Sequence, residues 1–393
     1  MAVAAVGVRS TTGPESAVRI GSLDIVRGAV MVLMAIDHVR VYSGVPAGGP
    51  TYGVFFTRWI THFCAPAFVF LAGTAAFLHG RKLGDTRALA QYLVTRGLLL
   101  VVLELTLIRA SWTFTVDYSQ FILAGVIWML GWCMILLAGL VWLPTWALGA
   151  FGLVVMVCQN VFTPLGRLLP PSCQTIWEFI YPVGAEVKLG ATGPAVTVLY
   201  TIVPWIGVMA AGYAFGAIVT REPEARRRLC LRIGLSATAV FLLVAGLGVM
   251  LRPAPDGAPP AIIRLLNQNK YPASQLFLLM TLGPAIALLA VAERARGWLA
   301  GVLATFGRVP MFYYLLHIPL IHATALLVWL IRDGSVHAER FATAPYVSIP
   351  PGARWGLPLL YLVFALVVTA LYPLCRWYGS MKARSRAGWL RYI

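Results

Sequence analysis

The sequence predicts an all-α, polytopic integral membrane bundle of about ten transmembrane helices, with both termini cytoplasmic. Three observations carry this. Hydrophobic residues make up 60% of the 393-residue chain and charged residues only 11%, against roughly 45–50% and ~25% in a soluble domain. The apolar residues fall in repeated runs near the ~20 residues that a bilayer span takes. Lys and Arg collect in alternate loops between those runs, as they do on the cytoplasmic side of a membrane.

Taken in order, apolar segments run near 22–42, 55–78, 90–108, 121–143, 146–162, 195–219, 229–250, 274–292, 309–331 and 355–378. Only Pro144 and Thr145 divide the fourth from the fifth, as a tight turn. Arg81, Lys82 and Arg87 follow the second segment, and Arg221, Arg226, Arg227 and Arg228 the sixth. Arg294 and Arg296 follow the eighth, and Lys382, Arg384, Arg386 and Arg391 the tenth. The loop 43–54 has no Lys or Arg, and the long loop 163–194 has only Arg167 and Lys188. Ten spans satisfy this alternation. Residues 1–18 read as a disordered tail without the pattern of a signal peptide, so the first span serves as the insertion signal. Residues 19–380 then form one transmembrane domain, and 381–393 a basic cytoplasmic tail. Three outer loops, 163–194, 251–273 and 332–354, are long and rich in Pro, Gly, Trp and Tyr.

The net charge of +17 would raise nucleic-acid binding for a soluble chain. Here the basic residues sit in short inter-span loops, so the partner expected is the bilayer and no nucleic acid. Six cysteines show neither CxxC nor metal-ligand spacing, and most lie in apolar stretches as small hydrophobes. No disulfide framework and no metal are expected. There is no phosphate-binding GxxxxGK[ST] and no GxSxG nucleophile elbow.

Ionisable groups inside spans are costly and mark function. The first span holds the densest set: Asp24, Arg27, Asp37, His38 and Arg40. Arg27 and His38 are eleven residues apart and share one helix face, separated by a rise of ~16 Å. Arg27 falls toward the cytoplasm, where a guanidinium suits the phosphate of a cofactor. His38 falls toward the outside, where an imidazole oriented by a neighbour serves as general base. The bland alternative is that Arg27 snorkels to inner headgroups and His38 rests at the outer interface. His62 opens the second span at the level of His38, and Asp37 is placed to orient either imidazole. Arg96 and Glu104, two turns apart in the third span, read as a structural pair, with Arg109 near the outer end. Tyr313, Tyr314 and His317 are candidates to line a cavity; His317 and His322, at i, i+5, do not have metal spacing.

The segment SLDIVRGAVMVLMAIDH, Ser22 to His38, resembles the opening helix of transmembrane acyltransferases, in which Leu-Asp-x-x-Arg is followed by a His eleven residues after the Arg. Leu23, Asp24, Arg27 and His38 match. THFCAPAFVFLAGTAAF, Thr61 to Phe77, resembles the second helix of the heparan-α-glucosaminide N-acetyltransferase-like family, and Gly307 to His322 is similar to a late helix of its bacterial members. The resemblance implies transfer of an acyl group, acetyl above all, from cytoplasmic acyl-CoA to a hydroxyl or amine of a sugar-type acceptor outside a bacterial inner membrane. It implies His38, Asp37 and His62 as catalytic candidates, and Arg27, Asp24, Arg40 and His317 as candidates for holding acyl-CoA. A homodimer is compatible with this class. There is a departure: the lysosomal members carry their proposed active histidine in the loop after the first matching helix, and loop 43–57 here has none. Whether His38, His62 or both take the role is open, as is the choice between direct transfer and a transient acyl-histidine. A secondary transporter or a flippase for lipid-linked sugars also suits a buried charge cluster, although no repeat pairs the two halves as in many transporters.

Overall fold

A computed structural model describes residues 20–385, apart from 50, 120, 182–185, 189, 191–192 and 253. The expected tail at 1–18, and 386–393 of the basic tail, lie outside the described residues. Helix α1 (Gly21–Ser43) ends where Gly44 takes φ 72° and turns its N–H back onto the helix. Helix α2 (Tyr52–Leu83) holds a 3₁₀ turn at Ile60–Phe63. Helix α3 starts as Thr86–Leu103, capped by the Asp85 carboxylate, and runs through a π turn at Glu104–Ile108 into Arg109–Thr113. Then come α4 (Val126–Leu140), α5 (Thr145–Arg167), α6 (Pro171–Ile180), α7 (Trp205–Val219) and α8 (Pro223–Leu251). They are followed by α9 (Ala261–Leu266), α10 (Gln275–Ala292), α11 (Trp298–Arg308), α12 (Pro310–Asp333) and α13 (Leu357–Arg384).

The fold is an all-α polytopic membrane bundle. Helices α2, α5, α8, α10, α12 and α13 are long and apolar enough to cross a bilayer, and α4 and α7 are apolar but shorter. Helices α5 and α8 turn Leu153, Val154, Leu242 and Leu243 outward, as suits contact with lipid chains. The enclosed centre belongs to α1, α2, α10 and α12, which carry Met31, Val69, Phe277 and Tyr313 fully buried.

Two features depart from the ten-span reading. Residues expected to open the fourth and sixth spans instead form strands. Strand β1 (Phe121–Ala124) pairs in parallel with β3 (Ala195–Val198), and β2 (Glu186–Lys188) pairs antiparallel to β3. The β-branched Val196, Thr197 and Val198 suit a pleated, half-buried surface, and the sheet caps the end where the long loops gather. The second departure is α11, a short helix before the ninth expected segment. It packs on α1 through small residues: a Cβ at Gly28 would strike the Leu303 carbonyl, and one at Gly307 the Asp24 carbonyl. Such close backbone approach is what small residues permit between membrane helices.

Candidate active site

A cavity of about 370 Å³ runs inside α1, α2, α3, α4 and α12. Ala65, Ala72, Ala75 and Ala76 on α2 leave the space, and Leu93, Leu100, Ile127, Leu130 and Met134 give it apolar walls. One end is basic, with Arg27, Arg96 and Lys382 beside His79. At the other, loop-side end stand Asp37, His38, Tyr200 and Lys270. A cavity of this size with apolar walls and a few convergent polar groups is the usual form of a small-molecule site.

His38 does not stand alone. Its Nδ1 lies 2.7 Å from Nε2 of His317, 279 residues away in sequence. The other nitrogen of His317, Nδ1, is 2.7 Å from the Tyr314 carbonyl oxygen. A carbonyl only accepts, so His317 Nδ1 carries the proton and its Nε2 is a lone pair. His38 Nδ1–H therefore donates to His317, which leaves Nε2 of His38 as the unprotonated nitrogen. Trp112 packs edge-on against the His38 ring at 4.9 Å. His38 lines the cavity, whereas His317 is fully buried behind it.

Asp37 does something other than orient an imidazole. Its two oxygens take Arg40 Nε at 3.1 Å and Arg58 Nη1 at 3.4 Å. Neighbouring residues on a helix point about 100° apart, so Asp37 and His38 serve different partners. Arg40, expected to hold acyl-CoA, is committed to Asp37 and to the Val45 carbonyl at the loop-side end. Asp24 lies 3.5 Å from Arg27, and Arg27 also donates to the Gly307 carbonyl. Asp24 thus steadies Arg27, and its own charge would repel a phosphate. His317, also expected on acyl-CoA, is instead the partner of His38.

His62 reaches a second cavity, also about 370 Å³, lined by Arg58, Trp59, Asn267, Gln268, Asn269 and Lys270. Its ring is buried edge-on to Phe277, and its Nδ1 has no hydrogen-bond partner among the described residues. The two histidines share an end of the bundle but face separate cavities, and Lys270 lines both.

The expected Arg96–Glu104 pair does not form. Arg96 donates to the Tyr92 hydroxyl at 2.8 Å, while Glu104 accepts the Ile127 N–H at 3.0 Å and caps α4. Arg109 is buried and donates to the carbonyls of Thr115, Asp117 and Phe121, which pins the loop after α3. His322 stacks on Phe114 at 3.9 Å and lies tilted against Tyr42 at 4.8 Å. Among the described residues no group of His, Cys, Asp and Glu is arranged to hold a metal ion. The sequence reading missed Arg58, Trp112, Tyr200 and Lys270. The one available signal was a lone Lys in the amide-rich loop Asn267–Tyr271.

Residues 19–251 match the family model described as heparan-alpha-glucosaminide N-acetyltransferase, catalytic. No curated protein sequence matches the chain.

Proposed function

The chain belongs to the heparan-alpha-glucosaminide N-acetyltransferase catalytic family, and we propose that it transfers an acyl group, acetyl first among them, from acyl-CoA to a sugar-type acceptor across a bacterial inner membrane. A membrane acetyltransferase-type function follows from the family. The observation that supports the finer reading is the single cavity with Arg27, Arg96 and Lys382 at one end and His38 at the other. The basic end faces the cytoplasm, in keeping with the loop charges, and its cations suit the phosphates of the CoA moiety. The apolar walls suit the thinner arm that carries the thioester inward.

The reaction is direct transfer. His38 Nε2 takes the proton from the acceptor hydroxyl or amine as that atom attacks the thioester carbonyl carbon. Positive charge developing on the His38 ring is shared through its Nδ1–H with the lone pair of His317. The tetrahedral intermediate then collapses, the carbon–sulfur bond breaks, and His38 returns the proton to the departing thiolate. His38 is the catalytic residue, and His317 is a positioning residue that fixes its tautomer.

The test is release of free CoA thiol by the purified full chain given acetyl-CoA and a panel of sugar acceptors, with His38→Ala as control. Acceptor-dependent release that disappears in the variant is expected. Wild-type turnover in a folded His38→Ala protein would remove His38 from the chemistry. Acceptor-dependent uptake into vesicles without thiol release would favour transport.

A further inference from the structure

The loop-side end of the main cavity holds more positive charge than it balances. Arg40, Arg58 and Lys270 gather there, and Asp37 is the one carboxylate that pairs with any of them among the described residues. Lys270 and Arg58 are both at least nine-tenths buried. Lys270 lies within electrostatic range of Asp37 and His38. Among the described residues its ammonium makes no ion pair, and it rests against the rings of Tyr200 and Tyr271, 5.8 and 5.1 Å from their centroids. The Tyr271 hydroxyl meets that of Tyr200 at 3.3 Å. Burial pushes the Tyr271 phenol up, but the Lys270 ammonium and the Arg58 guanidinium outweigh it and hold the phenol below its usual value. Buried charges are normally paired, so a surplus of cations beside a cavity calls for an anion from outside the chain.

The second cavity supplies the rest of a binding site. Asn267, Gln268 and Asn269 present amides, Trp59 presents a ring, and the buried Nδ1 of His62 lacks a partner among the described residues. Amides and an indole suit hydroxyls and the apolar face of a sugar ring, while Lys270 opens on both this cavity and the one that holds His38. We propose that this second cavity is the acceptor subsite, and that Lys270 selects acceptors bearing an acidic group, a carboxylate or a phosphate, next to the hydroxyl or amine to be acylated. The catalytic part rests on the acyl-transfer reading above; the binding part stands without it.

Calorimetry on the detergent-solubilised full chain, without acyl-CoA, tests the binding part. Glucuronate and glucose 6-phosphate should bind about tenfold or more tighter than glucose, the worth of one charge-assisted hydrogen bond. Lys270→Gln should erase that preference and Lys270→Arg should keep it. Protection of Lys270 from an amine-acylating reagent by glucuronate, and not by glucose, gives the same reading on the unmutated chain. Equal binding of acidic and neutral sugars, or a preference that survives Lys270→Gln, would overturn the proposal. So would displacement by phosphatidylglycerol in nanodiscs with no effect of either acidic sugar, since the site would then belong to a lipid headgroup. Thiol release separates the two claims: a preference for acidic sugars with no turnover on any acceptor would defeat the acyl-transfer reading and leave the anion site standing.

Discussion

His38 and His62 lie toward the same end of the bundle, yet they are prepared for different work. The hydrogen bonds of His38 form a chain with one direction: its Nδ1–H gives to His317, and His317 gives to the Tyr314 carbonyl. Its tautomer is fixed, with the lone pair on Nε2, and in the proposed reaction Nε2 is the base. His62 has no such chain. Its Nδ1 is unpartnered among the described residues, and it lines a cavity of amides and cations. An imidazole whose second nitrogen is engaged is ready to move a proton, while one with an open nitrogen at a polar cavity is ready to contact a ligand. The comparison teaches that two histidines at one depth of a bundle differ by the partner of the second nitrogen, and the proposed reaction takes its base on that ground.

The largest expected effect sharpens this contrast. His38→Ala should lower kcat by ~10²–10⁴-fold, the usual worth of a general base, whereas His62→Ala should act mainly on the acceptor KM. Initial-rate kinetics with both substrates varied will show it, and the reverse pattern would move the base to the second cavity. His317→Ala should lower kcat by roughly 10²-fold with little change in the acyl-CoA KM, a share of the same general-base term. His317→Gln, which offers an oxygen to the His38 Nδ1–H, should recover part of that loss; no recovery would mean that His317 acts by packing alone. Arg27→Gln should raise the acyl-CoA KM by about tenfold and leave kcat near wild type, as loss of one charge-assisted contact predicts. The smallest effect is structural. Glu104→Ala removes the acceptor of the Ile127 N–H at the start of α4 and should cost about 1–2 kcal/mol of stability, read as a lower thermal midpoint with turnover per folded molecule unchanged.

Six of the ten expected spans are helices long and apolar enough to cross a bilayer among the described residues; they were legible because a bilayer demands long apolar runs, and such runs survive in sequence whatever they pack against. The strands at 121–124 and 195–198 were not, because four-residue apolar runs fit either structure and their pairing joins segments more than seventy residues apart. Arg27 and His38 stood out through charge inside an apolar helix. The His38–His317 contact spans 279 residues and depends on how α1 and α12 rotate against each other, which packing decides. Arg96 and Glu104 misled because helical spacing makes two charges near neighbours without showing that α4 offers Glu104 a row of unsatisfied N–H groups. Lys270 was hidden by its setting: a Lys in a polar loop is ordinarily solvated, and only the fold buries this one.

A cavity with groups at both ends of a membrane bundle also raises a matter of insulation. Any aqueous thread through it would carry protons or sodium ions down the membrane potential, at ~2.3 kcal/mol per charge for each 100 mV. The positive charge of Lys270 stands at the loop-side end, where it lines both cavities, and Arg58 lines the second. This charge would oppose cation entry as a fixed arginine does in water-selective pores and, in the proposed reaction, leave a neutral acyl group free to cross. The same charges that would draw an acidic sugar would thus keep the cell's battery from discharging through the enzyme.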